Sequence, residues 1–277
     1  MDHLPDYYEA LMRLDDHGND RSVETLQMPD SVPKGKILIK MFFAPINPSD
    51  WMFFLNNSYG QKEKMPKGQV IGGFEGSGIV VRIGSGVAPS LLKRKVSVCA
   101  DPTSPSFEGT WGEYMTVDLN RVIVFPDTAD LEKIHSCMIN PGTVFSMAEL
   151  LKQKSDYTAV FNAAGSSLCR MAARYFNEVG LKTIMIVRRQ QHVAELLKDG
   201  ADIVLDSSAV SYEADLTDAI EYLQPKNMFD AVGGSNGVNI LNQMPVKSTL
   251  YSYGALSRKP LDGLNPMELI FKQKSVQ

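Results

Sequence analysis

The stretch that most constrains this chain runs from Tyr157 to Arg189. Tyr157-Thr158-Ala159-Val160-Phe161-Asn162 is a short apolar run rich in β-formers, and the residues from Ala163 to Ser167 that follow it are all small. Leu168 to Val179 predicts a helix with Leu168, Met171, Ala172 and Tyr175 on one face, stopped by Gly180. Thr183 to Val187 predicts a second buried strand, which ends in Arg188 and Arg189. Strand, small-residue turn, helix and strand in that order form a βαβ unit whose turn is suited to a dinucleotide. A pyrophosphate needs free backbone N–H groups at a helix N-terminus and a turn without side-chain bulk. The three glycines of the Gly-x-Gly-x-x-Gly pattern fall here on Ala164, Ser166 and Cys169, and Gly165 is the turn's sole glycine. The order of elements therefore carries the reading, not the motif. Arg188 stands nineteen positions after Cys169, where a ribose-reading residue is expected. An acidic residue there would bond a 2′-hydroxyl. Arginines would neutralise a 2′-phosphate, which predicts NADPH. The alternative is an ordinary βαβ unit with a solvated basic loop.

A chain of 277 residues is long enough for two cores. Its net charge of −4 argues against nucleic acid or an anionic membrane as the main partner, and no apolar run approaches the length of a membrane span. The three cysteines, Cys99, Cys137 and Cys169, lie far apart, and the four histidines are scattered. No zinc site is expected from that spacing. A reducing compartment, the cytosol or the mitochondrial matrix, is the expected home.

The rest of the chain divides in two. Residues 1–128 are poor in helical patterns and rich in short strands between glycines and prolines, as at Lys36 to Phe42, Gly78 to Ile83, Lys95 to Ala100, Glu113 to Val117 and Val122 to Phe125. That spacing predicts a small β-barrel or sandwich. From residue 129 to 277 strands and helices alternate. Leu131 to Lys154 reads as helix interrupted by Asn140-Pro141-Gly142, and Gln190 to Lys198 and Asp215 to Leu223 are further helices. Ile203 to Leu205, Phe229 to Val232 and Thr249 to Tyr253 read as the remaining strands of a doubly wound parallel sheet.

The barrel-then-sheet order, together with Ala44-Pro45-Ile46-Asn47-Pro48-Ser49-Asp50, Gly72-Gly73-Phe74-Glu75-Gly76-Ser77-Gly78, Asn140-Pro141-Gly142-Thr143 and Tyr251-Ser252-Tyr253-Gly254-Ala255-Leu256, resembles the medium-chain dehydrogenase/reductase superfamily. More narrowly it resembles the zinc-independent quinone reductases and mitochondrial 2-enoyl thioester reductases. The resemblance implies an α/β protein: an N-terminal GroES-like β-barrel followed by a Rossmann sheet. The glycine-rich segment is read as a turn. Zinc relatives carry a histidine ligand where this chain has Phe74, and a cysteine ligand in the loop where it has Ser49, Asp50 and Trp51.

The implied activity is NADPH-dependent hydride transfer to a quinone or to an α,β-unsaturated carbonyl, an enone or an enoyl thioester. In Asn57-Ser58-Tyr59-Gly60, Tyr59 matches the phenol that donates to the substrate oxygen as enolate charge develops. Ala164, Gly165, Ser166, Ser167 and Cys169 would line the pyrophosphate, and Arg188 and Arg189 would hold the 2′-phosphate. Thr143 and the backbone at Gly254 and Ala255 would fix the nicotinamide, while Asn47 and Asp50 shape their loop. As bare residues, Tyr59 is equally a loop tyrosine packed on Trp51 or Phe54, and Thr143 a helix threonine bonded back to the backbone. At Lys272 to Gln277 the family continues into a further strand, often paired across a dimer, and a return to the barrel. The expectation is therefore a truncated chain without its last strand, acting as a homodimer or in a larger assembly. A non-catalytic subunit that keeps the fold is the competing reading.

Overall fold

The computed structural model describes residues 4–15, 20–56, 69–101 and 107–277. They form two compact units, the first ending at Ile139 and the second running from Asn140 to Gln277. The first holds β1 (Tyr7–Arg13), β2 (Arg21–Gln27), β3 (Lys36–Phe43), α1 (Pro48–Asn56), β4 (Val70–Ile71), β5 (Glu75–Ile83), β6 (Lys95–Cys99), β7 (Tyr114–Asp118), β8 (Val122–Phe125) and α2 (Leu131–Ile134). Among the described residues these strands make an antiparallel sheet in the order β7-β3-β5-β6-β8 and a smaller one in the order β2-β1-β4. Strand β3 shows why the larger sheet is covered on both sides. Ile37 and Ile39 enter one core with Val80, Val96, Val98 and Met115, and Leu38 enters another with Met28 and Tyr114. Successive side chains of a strand point to opposite faces, so a run of three apolar residues serves two cores.

The glycine-rich segment differs from its expected form. Gly76, Ser77 and Gly78 lie inside β5 and not in a turn. A Cβ on Gly78 would stand 2.2 Å from the Lys40 carbonyl oxygen, and one on Gly76 2.7 Å from that of Phe43. The two strands approach too closely there for any side chain, and the pairing of β3 with β5 shifts register at the same place. Glycine here marks close approach rather than a bend.

The second unit holds most of α3 (Ile139–Gln153), then β9 (Thr158–Phe161), α4 (Ser167–Glu178), β10 (Lys182–Val187), α5 (Val193–Lys198), β11 (Ile203–Asp206), α6 (Tyr212–Leu223), β12 (Asn227–Asp230), α7 (Gly234–Gln243), β13 (Thr249–Ser252), α8 (Pro266–Phe271) and β14 (Ser275–Val276). Its sheet runs β11-β10-β9-β12-β13-β14, parallel throughout. Counted from β9 as the first strand, this is the order 3-2-1-4-5-6 of a doubly wound dinucleotide fold. Met185 and Val187 of β10 face the core that holds α3 and α4, whereas Ile184 and Ile186 face the one that holds α6 and α7. A parallel sheet covered on both faces needs such continuous apolar strands.

Three expectations are corrected in this unit. The last strand is not missing: Thr249 and Leu250 of β13 pair with Ser275 and Val276 of β14. Two residues carry too little pattern to be read as a strand without their partner. Asn140-Pro141-Gly142 does not interrupt a helix but opens α3, where the N–H that proline lacks has no acceptor to lose. The buried face of α4 is Cys169, Ala172, Ala173 and Phe176, with Leu168, Met171 and Tyr175 at its border. Three small residues in a row of helical spacing let α4 settle close against the sheet, which turns the bulkier stripe to the edge.

Candidate functional site

Four chain segments leave the carboxyl ends of adjacent parallel strands: one after β9, one after β10, one after β12 and one after β13. The order reverses between β9 and β12, and a crevice opens at such a switch point. The sequence sends small residues, two arginines and glycines to these four ends.

After β9 the chain turns through Ala163 and Ala164, and Ser166 caps α4 by accepting from the Cys169 N–H at 3.3 Å. Ala164 N–H donates to the Ile186 carbonyl at 3.0 Å and Ser166 N–H to that of Ala163 at 3.1 Å. The amides of Gly165, Ser167 and Leu168 have no acceptor among the described residues. Gly165 and Ser167 are exposed. These are the unsatisfied donors that a helix N-terminus offers to an anion.

Ala164 and Cys169 do not line this turn. Both are fully buried, and both amides are already bonded. Cys169 lies in the core beneath α4, its sulfur 3.8 Å from the Asn162 carbonyl oxygen and 3.9 Å from the Tyr253 hydroxyl. Burial, opposed by contacts to Ser166 and Tyr253, raises the thiol above its ordinary range. It performs the packing that the third glycine performs in the usual pattern.

Arg188 and Arg189 follow β10 directly and are exposed. Their side chains have no hydrogen-bond or ion-pair partner among the described residues. Guanidinium groups of this kind remain available for a phosphate.

The ends of β9 and β12 are joined by a buried polar network that the sequence did not reveal. Asn162 donates from Nδ2 to Asp230 Oδ1 at 2.6 Å and to Asn236 Oδ1 at 2.9 Å, and accepts from the Ala231 N–H at 2.8 Å. Asp230 Oδ1 also accepts from the amides of Val232 and Gly233, at 2.9 and 3.1 Å. Both side chains are buried. The signal that could have found them is a polar residue closing each of two apolar strands.

Gly254 and Ala255 run past the same corner, with the Gly254 N–H 3.3 Å from the Asp230 carbonyl oxygen and the Leu256 N–H 3.0 Å from that of Ala231. Ala255 is exposed. Tyr253 beside them is pushed well above the ordinary phenol range, first by burial and then by Cys169. Thr143 is half-buried near the start of α3, just before Val144 enters the core shared with α4.

In the first unit, Asp50 is buried and accepts from the amides of Asn47 at 2.6 Å and Phe74 at 2.8 Å, which pins α1 to the segment before β5. Burial raises its carboxyl above the ordinary value, against the pull of those two amides. Glu75, also buried, accepts from the amides of Met138 and Ile139. Phe74 occupies the core and packs edge-on against Phe107 at 6.2 Å. Among the described residues no three His, Cys, Asp or Glu side chains are grouped to hold a metal ion. An open cavity of about 380 Å³ lies in this unit, lined in part by Val23, Met41, Phe42, Phe43 and Trp111. Tyr59 lies outside the described residues.

The strand-end constellation fits a phosphorylated dinucleotide. Free amides open a helix, a glycine leaves the turn without side-chain bulk, and two unpartnered guanidiniums follow the neighbouring strand. Residues 33–127 match the Alcohol dehydrogenase GroES-like domain. Beyond that domain the chain is similar to oxidoreductases of the zinc-independent branch of the medium-chain dehydrogenase/reductase superfamily.

Its relatives narrow the comparison further. It is 29% identical over 275 residues to the mitochondrial enoyl-[acyl-carrier-protein] reductase of Rattus norvegicus, covering 97% of this chain and 71% of that one. Identity to the same enzyme of Dictyostelium discoideum is 25% over 260 residues, with 92% and 72% covered. Among solved structures, a candidate NADPH:quinone reductase from Mesorhizobium loti superposes with a TM-score of 0.86 at 29% identity, over 99% of this chain and 81% of that one. The complex of Etr1p with NADP and crotonyl-CoA superposes with a TM-score of 0.79 over 98% and 81%. At 17% identity that likeness is one of fold. No helix among the described residues is long and apolar enough to cross a membrane.

Proposed function

We propose that this chain is an NADPH-dependent reductase that directs a hydride to a quinone or an α,β-unsaturated carbonyl, either an enone or an enoyl thioester, without zinc. The observation that carries the reading is the pairing of unacceptored amides at Gly165, Ser167 and Leu168 with the unpartnered Arg188–Arg189 pair at adjacent strand ends. The amides hold the pyrophosphate, and the guanidiniums neutralise the 2′-phosphate. Thr143 and the backbone at Gly254 and Ala255 bear on the nicotinamide, the group that supplies the hydride when bound.

Negative charge develops on the substrate oxygen as the hydride arrives, and a neutral donor aimed at it lowers the barrier. Tyr59 is assigned that role on its sequence match. A neutral phenol supplies the O–H donor that this role requires. The relatives named above support an enoyl thioester as substrate and the mitochondrial matrix as location, with the cytosol as the alternative. A Candida tropicalis relative solved as a heterodimer supports a dimer.

The test is oxidation of NADPH by the full chain with a quinone, an enone and an enoyl thioester. Turnover with at least one of them is expected, and a folded protein that turns over none overturns the reading. Tyr59→Phe is expected to lower kcat for enoyl thioesters by about a hundredfold with little change in KM, the scale of losing one oxyanion donor. Quinones, which accept hydride more readily, are expected to respond less.

A further inference from the structure

The corner where β9, β12 and β13 end is tied together by one buried residue. Asp230 Oδ1 accepts from Asn162 Nδ2 at 2.6 Å and from the amides of Val232 and Gly233 at 2.9 and 3.1 Å. Its main-chain carbonyl accepts from the Tyr253 N–H at 3.0 Å and the Gly254 N–H at 3.3 Å. Asp230 therefore bonds the chain at the ends of three neighbouring strands. Buried polar bonds of this kind fix direction as well as distance, because no water is at hand to replace a lost partner.

That one oxygen sets the path of the chain after β12. With the Val232 and Gly233 amides both drawn to it, the chain folds back on the Asp230 side chain, and Gly233 takes a left-handed φ of 72°. The carbonyls of Ala231 and Val232 then accept from the segment after β13, from Leu256 at 3.0 Å and Ser257 at 2.8 Å. Asn162 Oδ1 holds the Ala231 N–H from the other side at 2.8 Å. Nothing separates the two segments: a Cβ on Gly254 would stand 2.7 Å from the Ala231 carbonyl oxygen and 3.0 Å from its Cα. The placing of Ala231 therefore sets the backbone at Gly254 and Ala255. Among the described residues the hydrogen bonds of Asp230 reach none of residues 163–167, the turn that offers the free amides. Asp230 Oδ2 has no hydrogen-bond partner among the described residues and is backed by α7, where a Cβ on Gly237 would stand 2.5 Å from it.

We propose that Asp230, held by Asn162, is a positioning residue for the hydride donor. It touches no ligand; it sets the Gly254–Ala255 backbone on which the nicotinamide rests and leaves the phosphate end of the nucleotide alone. The proposal rests on the nucleotide reading above and adds to it the group that aligns the reacting ring. What aligns is an oxygen that accepts three donors, so an amide oxygen in the same place serves as well. A shift of about 1 Å in a reacting group is enough to slow its reaction about a hundredfold.

Calorimetry of the full chain with NADPH and with adenosine 2′,5′-bisphosphate, which lacks the nicotinamide half, tests this beside NADPH oxidation by the acceptors named above. Asp230→Ala is expected to weaken NADPH about tenfold and to leave bisphosphate affinity within about twofold. It is also expected to lower kcat about a hundredfold with little change in the acceptor's KM. Asp230→Asn is expected to bring both quantities back to within about threefold of wild type, because its amide oxygen accepts the same donors. If Asp230→Ala does not fold, Asn236→Ala carries the test. Asn236 is exposed and takes the second Asn162 Nδ2 bond at 2.9 Å, so its loss loosens Asn162 without opening the core. A fall in kcat of about threefold with unchanged bisphosphate binding is then expected, and an unchanged kcat would overturn the proposal. Equal weakening of both ligands, or an Asp230→Asn variant as impaired as Asp230→Ala, would overturn the positioning role while leaving the nucleotide site intact. A folded wild-type chain that binds neither ligand would overturn both.

Discussion

Asn162 is the residue on which the switch point turns. It bonds Asp230, Asn236 and the Ala231 amide at once, all in a buried corner. Asn162→Ala strips the Ala231 N–H of its acceptor and Asp230 of a strong donor. Leaving such groups unpaired out of water costs about 3 kcal/mol, so urea unfolding should show a loss of that order. No change in stability would mean that the corner is wetter than its burial suggests. Neither Asn162 nor Asp230 stood out in the sequence, because each read as one polar position of a strand and nothing local shows that the two meet. The packing of the His192 ring on Gly165 was hidden for another reason: the two are 27 positions apart, and no periodicity links them. By contrast, Arg188 and Arg189 were legible because a βαβ unit fixes the spacing between its turn and the end of its second strand.

At the scale of elements, the edge of the second sheet depends on one lysine. Lys274 is buried, donates from Nζ to the Leu241 and Asn242 carbonyls at 2.9 Å each, and pairs with Glu268 of α8 at 2.7 Å. It thereby bonds two carbonyls at the end of α7 and anchors the two-residue strand β14. Lys272 and Lys274 together hold the Glu268 carboxyl below its ordinary value. A depressed carboxyl pKa adds stability that is present above the unfolded value, about 4.5, and is lost as pH falls through the folded one. Wild type is therefore expected to be more stable than Glu268→Gln at pH 7, with the gap closing in chemical unfolding series run below pH 4.5. A gap that stays constant with pH would rule out an ionic role for the pair. Helix α7 itself escaped the sequence reading because Gly234 and Gly237 look like breakers. Gly237 is needed there, since a Cβ on it would stand 2.5 Å from Asp230 Oδ2. Strand β10, apolar at every position from Thr183 to Val187 except the first, was legible because a strand buried on both faces admits little else.

For the whole molecule, the proposed nucleotide contacts at the strand ends come from segments up to 90 residues apart, from Gly165 after the first strand of the parallel sheet to Ala255 after the fifth. Only the assembled sheet brings these segments to one edge, so a ligand held there binds the folded chain and not the unfolded one. NADPH at a hundredfold excess over its Kd should then stabilise the protein by about 2.7 kcal/mol. In a chain of this size that raises the unfolding temperature by about 5 °C or more, readable by thermal shift, and NADH at the same concentration should raise it less. An identical shift with the two nucleotides would count against the arginine pair as a reader of the 2′-phosphate.

The local plan was legible from residue order: apolar strands of the right length, a turn of small residues opening a helix, a basic pair after the second strand, and a barrel-like run before them. Each of these follows from side-chain size, periodicity and backbone chemistry within some thirty residues. Only the folded chain shows which face of α4 is buried, that Cys169 packs where a glycine usually would, that Asn162 meets Asp230, that His192 lies over Gly165, and that Ser275 and Val276 pair with β13. Those are contacts between segments distant in sequence. They are set by how closely the sheet lets two backbones approach and by which buried polar groups must find one another, and no local pattern encodes either.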